Sequence, residues 1–164
     1  MTDRPRGIAY LLSQVGTAAA QGFSQRVGEQ GLTPREAGVL RLLAGNPGMS
    51  QRDLSARLGT APSGTVVLID ALEARRLVVR VRSTADRRHY ELQLTDAGKD
   101  ALRSLRTVSE EHEEATLSGL TDRQRTQLHK LLQLLATSMD LDAQVHPGYV
   151  AARPPSTSRG GLGR

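Results

Sequence analysis

The apolar pattern of this sequence changes near its middle, and the change limits the folds that the chain can adopt. Before Leu77 and after Leu94, apolar residues recur every three or four positions, as they do on one face of a helix. Between these positions two short runs alternate apolar and polar residues, and Val79 and Val81 would form the apolar face of the first run. A two-stranded hairpin is marginal in water by itself, so it must pack on the helices. We therefore predict a mainly helical fold with one small hairpin.

Capping residues divide the helical part into six segments. Thr33 is followed by a first-turn proline and by Glu36 at the reciprocal position of a capping box. The stretch from Thr121 to Gln124 repeats the box pattern. A helix that ends at Gly59 is followed almost at once by one that Pro62 can open, and so tight a connection predicts a helix-turn-helix.

The composition excludes several classes of protein. The 164 residues suffice for one compact domain with a tail, and the chain has no cysteine. A disulfide framework, a thiolate zinc site and a cysteine nucleophile are therefore excluded. No segment approaches the roughly 20 continuous apolar residues of a membrane span. We expect a soluble cytoplasmic protein without a metal ion or a cofactor.

Basic charge is concentrated in one window of the chain. From Arg75 to Arg88 there are six arginines and a single acid, Asp86, so this window carries the whole formal net charge of +5. A basic element on a neutral body is the footprint of a polyanionic partner, most often nucleic acid. A solvated charged face is the alternative, although such faces normally mix both signs.

The sequence resembles a known family over roughly Leu32 to Gly98. Three segments carry the likeness: LTPREAGVLRLLAGNPGMSQRDLSARLG, APSGTVVLIDALEARRLVVR and, above all, ADRRHYELQLTDAG. In order and spacing they resemble the winged helix-turn-helix regulators of the MarR family. The resemblance implies a mainly α fold with a small β-wing. It also implies a transcriptional regulator, expected to be a ligand-responsive repressor, that binds a palindromic operator on double-stranded DNA.

The same resemblance implies a homodimer. Each chain would have an N-terminal dimerisation helix at 1–31, a winged helix-turn-helix domain at 32–98 and C-terminal dimerisation helices at 99–141. The Pro, Gly and Ser content of the last segment predicts a disordered tail at 142–164. The apolar residues suited to the dimer interface are Leu11, Leu12, Val15, Leu128, Leu131, Leu132 and Leu135. The alternative is that this stripe forms the core of a monomer, because a leucine stripe does not identify its partner.

The fourth helix is the expected reader of the DNA major groove. Its spacing turns Thr65 and Ile69 inward and leaves Val66 and Val67 outside, where polar residues usually contact base edges. Asp70 on the outer face would be repelled by phosphate unless an arginine pairs with it. We therefore expect specificity to depend more on the wing and on DNA shape than on this helix. The predicted DNA-binding residues are Ser50, Gln51, Arg52, Ala61, Ser63, Gly64, Val66, Val67, Arg80, Arg82, Asp86, Arg87 and Arg88.

The resemblance assigns a specific role to the wing. Arg88 would enter the minor groove while Asp86 holds its guanidinium, since narrow A·T-rich grooves attract arginine. Arg80, Arg82 and Arg87 are expected at phosphates. A surface ion pair of little energetic weight is the alternative for Asp86 and Arg88.

One position departs from the family pattern. Arg76 stands where the family has glycine, just after the fourth helix. If this position requires a positive φ, an arginine costs about 1 kcal/mol there. The alternative is that the helix ends differently in this chain.

Signals for a ligand or for catalysis are weaker. Members of the family release DNA when a small anionic aromatic or lipophilic compound binds between the dimer helices and the winged lobe. The candidate ligand residues are Tyr10, Val15, Phe23 and His112, each of which could instead belong to the core or the interface. His112 lies among glutamates, which is a weak signal for a metal site because carboxylates on a helix surface are often only solvated. The sequence has no nucleophile motif and no phosphate-binding glycine loop, so we do not expect an enzyme. The competing function is a protein-interaction module or a non-specific architectural DNA-binding module.

Overall fold

The computed structural model describes residues 7–83, 90–142 and 145–146, which form six helices and one hairpin. The elements are α1 (Ile8–Glu29), α2 (Pro34–Gly45), α3 (Gln51–Leu58), α4 (Pro62–Ala74), β1 (Val78–Arg82), β2 (Tyr90–Leu94), α5 (Asp96–Thr116) and α6 (Asp122–Ser138). The two strands pair antiparallel. The prediction of a mainly helical fold with one hairpin is confirmed. Among the helices described, none combines the length and apolar character needed to cross a membrane.

The predicted capping boxes are present. The Glu36 N–H donates to the Thr33 hydroxyl at 3.2 Å, and the Thr33 N–H donates to the Glu36 carboxylate at 2.7 Å. Thr121 and Gln124 form the same reciprocal pair at the start of α6. Each such cap stabilises its helix by about 1 kcal/mol, because it satisfies N–H groups that have no partner inside the helix.

The core lies between α2, α3, α4 and the hairpin, and α1 and α5 close it on one side. Its largest fully buried side chains are Leu40, Leu54, Leu58, Ile69, Leu72 and Leu92. Val27 from α1 and Leu105 from α5 complete it. Burying one such leucine or isoleucine contributes about 1.5–3 kcal/mol relative to leaving it exposed. The hairpin is stable here because Leu92 reaches this core.

The hairpin turns a different face of β1 inward from the one that the alternation predicts. Val78 is buried and Arg80 is partly buried, whereas Val79 is exposed. Arg80 pairs across the sheet with Leu92, so the two side chains share the inner face. The expectation that Val79 and Val81 form the packed face is wrong for Val79, whereas Val81 is partly buried. The physical reason is that an acidic side chain of α4 bonds both the backbone and the guanidinium of Arg80.

A Leu-Thr-x-x-Gly segment joins the hairpin to α5. The Thr95 hydroxyl accepts from the Gly98 N–H at 3.0 Å and donates to the Arg76 carbonyl. The Thr95 N–H donates to the Leu77 carbonyl at 3.2 Å. A Cβ atom added to Gly98 would lie 2.0 Å from that same carbonyl oxygen. Glycine is therefore required at this position by the close approach of two backbone segments.

Arg76 adopts the left-handed conformation, with φ of 56°. The Leu77 N–H donates to the Leu72 carbonyl at 2.9 Å and the Arg76 N–H donates to the Glu73 carbonyl at 2.8 Å. These two bonds are the Schellman pattern, in which the residue after the C-cap is usually glycine. Of the two alternatives for this position, the structure shows the first, a positive φ at the usual helix end.

We expect Arg76→Gly to raise the free energy of unfolding by about 0.5–1 kcal/mol. Glycine avoids the steric cost of a positive φ, and part of that gain is offset by its greater freedom in the unfolded chain. Urea denaturation followed by circular dichroism measures the change. Arg76→Ala is the control, because alanine removes the guanidinium but keeps the strain. Equal stability of the two variants would contradict the explanation.

Two apolar faces remain exposed on the single chain. On α1, Val15 is 60% exposed and Leu11 is 47% exposed; on α6, Leu131 is 52% exposed and Leu135 is 44% exposed. The chain has a separate buried core, so the alternative in which the leucine stripe forms a monomer's core is wrong. Exposed apolar side chains gathered on one face of a helix are typical of a surface that contacts another protein.

The chain continues to pack after α6. Val145 is buried within the core, and Asp142 pairs with Arg57 of α3 at 3.7 Å. The predicted tail, 142–164, therefore begins with residues that contact the body of the protein. Positions 143–144 and 147–164 of that prediction lie outside the described residues.

Candidate DNA-binding surface

A short turn joins α3 and α4. Gly59 ends α3 in the left-handed conformation, with φ of 57°. The hydroxyls of Thr60 in the turn and Thr65 in α4 are 2.9 Å apart, and Thr65 is fully buried. This hydrogen bond ties the turn to the second helix, and the pair forms the helix-turn-helix that the spacing predicts.

The two faces of α4 differ as predicted. Thr65, Ile69 and Leu72 are buried, and Leu68 packs against the core from the edge. Val67 is 69% exposed, although it is apolar. The exposed face includes Ser63, Gly64, Val66, Val67 and Asp70. It can therefore offer methyl groups to thymine, and few hydrogen bonds to base edges.

The N-terminus of α4 is open to solvent. Ala61 precedes the helix without a side-chain cap, and the first helical residue is Pro62. A groove of about 390 Å³ separates this end from the first turns of α3, and Gln51 and Arg52 line it. Uncapped N–H groups at the positive end of a helix favour an anion such as a DNA phosphate.

The first turn of α3 carries its own acid. The Ser50 N–H and hydroxyl donate to the Asp53 carboxylate at 3.1 and 2.6 Å, and the Asp53 N–H donates back to the hydroxyl. The hydrogen bond from the Ser50 hydroxyl, and then that from its backbone N–H, lower the pKa of Asp53. Ser50 is thus engaged as a cap, and Arg52 is the exposed cation of this turn.

Arg80 connects the hairpin to both helices of the turn. Its Nη2 atom is 2.7 Å from Asp70 Oδ1, and its Nη1 atom bonds the carboxylate of Glu73. Its Nε and Nη2 atoms donate to Gln51 Oε1 at 3.3 and 3.1 Å. The backbone N–H of Arg80 also donates to Glu73, at 3.2 Å. One guanidinium therefore holds the first turn of α3, the second half of α4 and β1 together.

This arrangement changes the role expected for Arg80. Burial alone would lower its pKa, but hydrogen bonds and charge interactions with Asp70 and Glu73 raise the pKa overall, so the group stays charged. The side chain is only 25% exposed and already neutralises acids. The structure therefore places Arg80 among carboxylates and not on the outer surface where a phosphate would bind. The Arg80 guanidinium is also the cation that the sequence analysis required as a partner for Asp70 on the outer face of α4.

Sequence reasoning missed Glu73 and the bonded role of Gln51. The available signal was the presence of two acids, Asp70 and Glu73, three positions apart on a helix that was expected to face DNA. Two acids three positions apart lie on the same side of a helix, so they predict that a cation pairs with them.

The remaining arginines of the basic window differ in their surroundings. Arg75 lies 3.6 Å from Glu36, at the corner between α1 and α2, so it is also partly neutralised. Arg82 is exposed, and its guanidinium lies 5.7 Å from the centre of the Tyr90 ring. The predicted wing-tip residues Asp86, Arg87 and Arg88 lie outside the described residues.

A cavity of about 410 Å³ lies between α1, α2 and α5. Phe23, Leu102 and Leu105 give it apolar walls, and Arg41, Arg103 and Arg106 add three guanidinium groups. The sequence prediction missed these arginines. Of the four predicted ligand residues, Phe23 lines this cavity and His112 contacts the Phe23 ring, with 5.6 Å between ring centres. Tyr10 and Val15 are exposed on α1 and are not among the lining residues.

The structure offers no support for a metal site at His112. Within residues 7–83, 90–142 and 145–146, no three His, Asp or Glu side chains converge as ligands. The imidazole packs on the backbone of α1 at Gly22, where an added Cβ would lie 3.3 Å from its Cε1 atom.

Comparison with known proteins agrees with this geometry. Residues 30–89 match the family model described as MarR family. A transcriptional regulatory protein for the hcr operon of Thauera aromatica is 34% identical over 129 residues, which span 78% of this chain and 78% of that protein.

Solved structures of two further relatives share the fold. CouR bound to a 23-mer DNA duplex gives a TM-score of 0.68 at 34% identity, covering 79% of this chain and 92% of CouR. CouR from Rhodococcus jostii RHA1 bound to p-coumaroyl-CoA gives a TM-score of 0.63 at 31% identity, covering 79% of this chain and 91% of CouR. Rv2887 from Mycobacterium tuberculosis in complex with salicylic acid gives a TM-score of 0.65 at 26% identity, covering 82% of this chain and 99% of Rv2887.

A helix-turn-helix whose second helix, α4, is exposed, together with a supporting hairpin and flanking long helices, defines a winged helix-turn-helix protein. The hairpin corresponds to the wing, and it is packed on α3 and α4 through Arg80. The relative that is 34% identical extends the likeness well beyond residues 30–89. The chain belongs to the MarR family.

Proposed function

We propose that this protein is a transcriptional regulator that binds a palindromic operator on double-stranded DNA as a homodimer and represses transcription until an effector releases it. The observation that carries the proposal is the outer face of α4, which is exposed next to the uncapped N-terminus of that helix. The structure of CouR on a DNA duplex supports DNA as the partner of this surface.

The homodimer is proposed from the exposed apolar faces of α1 and α6. Because these faces lie outside the core and do not include α4, pairing them leaves the outer face of each α4 free for DNA. Two lobes related by a twofold axis match a palindrome whose half-sites are about one helical turn apart. The division into dimerisation helices at 1–31 and 99–141 and a DNA-binding domain at 32–98 follows from this proposal.

Selection of bound fragments from genomic DNA by the purified protein tests the function. We expect an inverted repeat with half-sites about 10 base pairs apart, centre to centre. Recovery of random fragments, bound with an affinity that depends only on salt, would support an architectural module instead. Recovery of no DNA would support a protein-interaction module that docks partners on the valines of α4.

A matched pair of substitutions tests the roles of two wing arginines. Arg80→Ala is expected to weaken operator binding about tenfold, because it uncovers Asp70 and Glu73 beside the DNA. The slope of log affinity against log salt should change little. Arg82→Ala should instead reduce that slope by about 1, as expected for the loss of one phosphate contact. Fluorescence anisotropy at several salt concentrations measures both, and a reversed pattern would contradict the assignment.

The effector is proposed to bind in the cavity between α1, α2 and α5. Apolar walls suit a ring, and the three arginines suit an anionic group. Salicylic acid in Rv2887 and p-coumaroyl-CoA in CouR both combine an aromatic ring with negative charge, which supports this class of compound.

We infer that the protein is not an enzyme and that it acts in the cytoplasm. The matching relatives are named as transcriptional regulators and repressors. A regulator of this kind must reach chromosomal DNA, which the cytoplasm contains.

A further inference from the structure

One contact fixes the direction of the Gln51 amide on α3. The Nε and Nη2 atoms of Arg80 donate to Gln51 Oε1 at 3.3 and 3.1 Å. Every hydrogen-bonding group of an arginine side chain is a donor, so the amide oxygen of Gln51, and not its nitrogen, must face the guanidinium. These two hydrogen bonds also use both lone pairs of Oε1. The amide nitrogen, Nε2, therefore points away from Arg80.

The guanidinium is itself held by two acids of α4. Its Nη2 atom lies 2.7 Å from Asp70 Oδ1, and its Nη1 atom bonds the Glu73 carboxylate. The backbone N–H of Arg80 donates to the same Glu73 side chain at 3.2 Å. A guanidinium anchored in this way cannot turn with the amide. Flipping the Gln51 amide would therefore place N–H groups against N–H groups and lose both hydrogen bonds to Oε1.

The nitrogen end of the amide is available to a ligand. Among the residues that the structure describes, none accepts a hydrogen bond from Gln51 Nε2. Asp53, the acid of the same turn, accepts instead from the N–H and the hydroxyl of Ser50. The Gln51 side chain lines the groove of about 390 Å³ between α3 and the N-terminus of α4. At this groove Gln51 offers hydrogen-bond donors and no acceptor.

A donor-only amide matches a DNA phosphate and not a base edge. Phosphate oxygens accept hydrogen bonds and donate none, whereas a glutamine that recognises adenine uses both its oxygen and its nitrogen. The surroundings favour the same partner. Arg52, the next residue, is an exposed cation, and the N-terminus of α4 across the groove has no side-chain cap. Both sides of the groove therefore attract an anion.

We propose that Arg80 is a positioning residue for Gln51, and that Gln51 Nε2 donates to one backbone phosphate in each operator half-site. Arg80 itself does not touch the DNA. The contact fixes where α3 lies along the DNA backbone and carries no sequence information, because every base pair has the same phosphates. The inference rests on the proposed function, because it specifies how that regulator meets its operator.

Ethylation interference, in which single operator phosphates are blocked, tests the contact. Ethylation of one phosphate per half-site is expected to weaken binding of the wild-type protein and to have no further effect on Gln51→Ala. Gln51→Ala should also weaken operator binding about fivefold, by the same factor for the operator and for its single-base variants. Because no cation is lost, the slope of log affinity against log salt should not change. Gln133→Ala on α6 is the matched control and should alter none of these measurements.

Gln51→Glu reverses the polarity of the contact. The new carboxylate still accepts from Arg80, so the chain should remain folded, as circular dichroism would show. It places a negative charge at the phosphate, so operator binding should weaken at least about tenfold. A Gln51→Glu protein that binds the operator as tightly as the wild type would contradict the phosphate contact.

A double-mutant cycle tests the positioning by Arg80. Arg80→Met removes the guanidinium but keeps an unbranched side chain, and the acids that it uncovers are present in both members of the pair, so their effect cancels. In this background Gln51→Ala should cost no more than about twofold, because the amide is already free to turn. If Arg80→Met does not fold, Arg80→Lys replaces it, because lysine retains the charge but lacks the planar fork of N–H groups.

An equal loss from Gln51→Ala in both backgrounds would overturn the positioning role of Arg80. An ethylation pattern that Gln51→Ala leaves unchanged, or a loss that depends on the base sequence of the operator, would overturn the phosphate contact and favour a base contact. If the wild-type protein still selects an inverted repeat in these cases, the proposed regulator stands and only this inference is wrong. If it selects none, the proposed function itself is wrong.

Discussion

Alanine in place of Gly98 is expected to lower the free energy of unfolding by about 3 kcal/mol or more. The new Cβ would lie 2.0 Å from the Leu77 carbonyl oxygen and 3.0 Å from its carbon, both backbone atoms. Relief requires α5 to move away from Leu77, the residue before β1, and this movement would break the Thr95 hydrogen bonds to Leu77 and Arg76. Urea denaturation followed by circular dichroism measures the loss, and weaker operator binding should accompany it.

Gly28→Ala is the matched control for this prediction. Gly28 is a helical glycine of α1 with no atom within 4 Å of an added Cβ. Alanine there should be neutral or stabilising by up to about 1 kcal/mol, since it favours the helix. If Gly98→Ala were as stable as the control, the close approach of α5 to the Leu77 backbone would not be a constraint on this fold.

The double substitution Leu131→Glu and Leu135→Glu is expected to produce folded monomers that bind the operator at least about 100-fold more weakly. Both side chains are about half exposed in the single chain, so charges there should not unfold it. In a dimer interface they would bury four unpaired carboxylates, two per chain, which is strongly unfavourable. Loss of the second lobe removes the bivalent gain of about 10²–10⁴ in affinity. Analytical ultracentrifugation and operator titration measure the two effects.

Gln133→Glu places a negative charge on the opposite face of the same helix. It should remain dimeric and keep its operator affinity, because helical spacing places position 133 on the side of α6 away from Leu131 and Leu135. If the double variant is unfolded, Leu131 and Leu135 stabilise the single chain and the prediction is wrong. If the double variant is folded and still dimeric, the dimer interface does not include these two leucines.

Local features could be predicted from the sequence because their causes lie within a few residues. The cap at Thr33 needs only Glu36 three positions later, and the positive φ at Arg76 follows from how a helix ends after the C-cap. The inward and outward faces of α4 follow from the helical period, so the exposure of Val66 and Val67 was predictable as well.

The partners of charged side chains could not be predicted in the same way. Alternation assigned Arg80 to the outer face of β1, yet its guanidinium bonds Asp70, Glu73 and Gln51 on two other elements. Gln51 lies 29 positions from Arg80, and no local pattern links them. The net charge of the window from Arg75 to Arg88 therefore overestimates the number of cations available to DNA, because Arg75 and Arg80 already pair with acids.

By itself the sequence determined the helices, the turn between α3 and α4, the hairpin and the family. Periodicity, caps and characteristic segments are properties of neighbouring residues, so they need no knowledge of the fold. Only the tertiary structure decided that Arg80 supports the outer face of α4 through Asp70 and Glu73, and that Arg41 of α2 lines one cavity with Arg103 and Arg106 of α5. Both outcomes depend on residues far apart in the chain, which become neighbours only when burial of the common core brings their helices together.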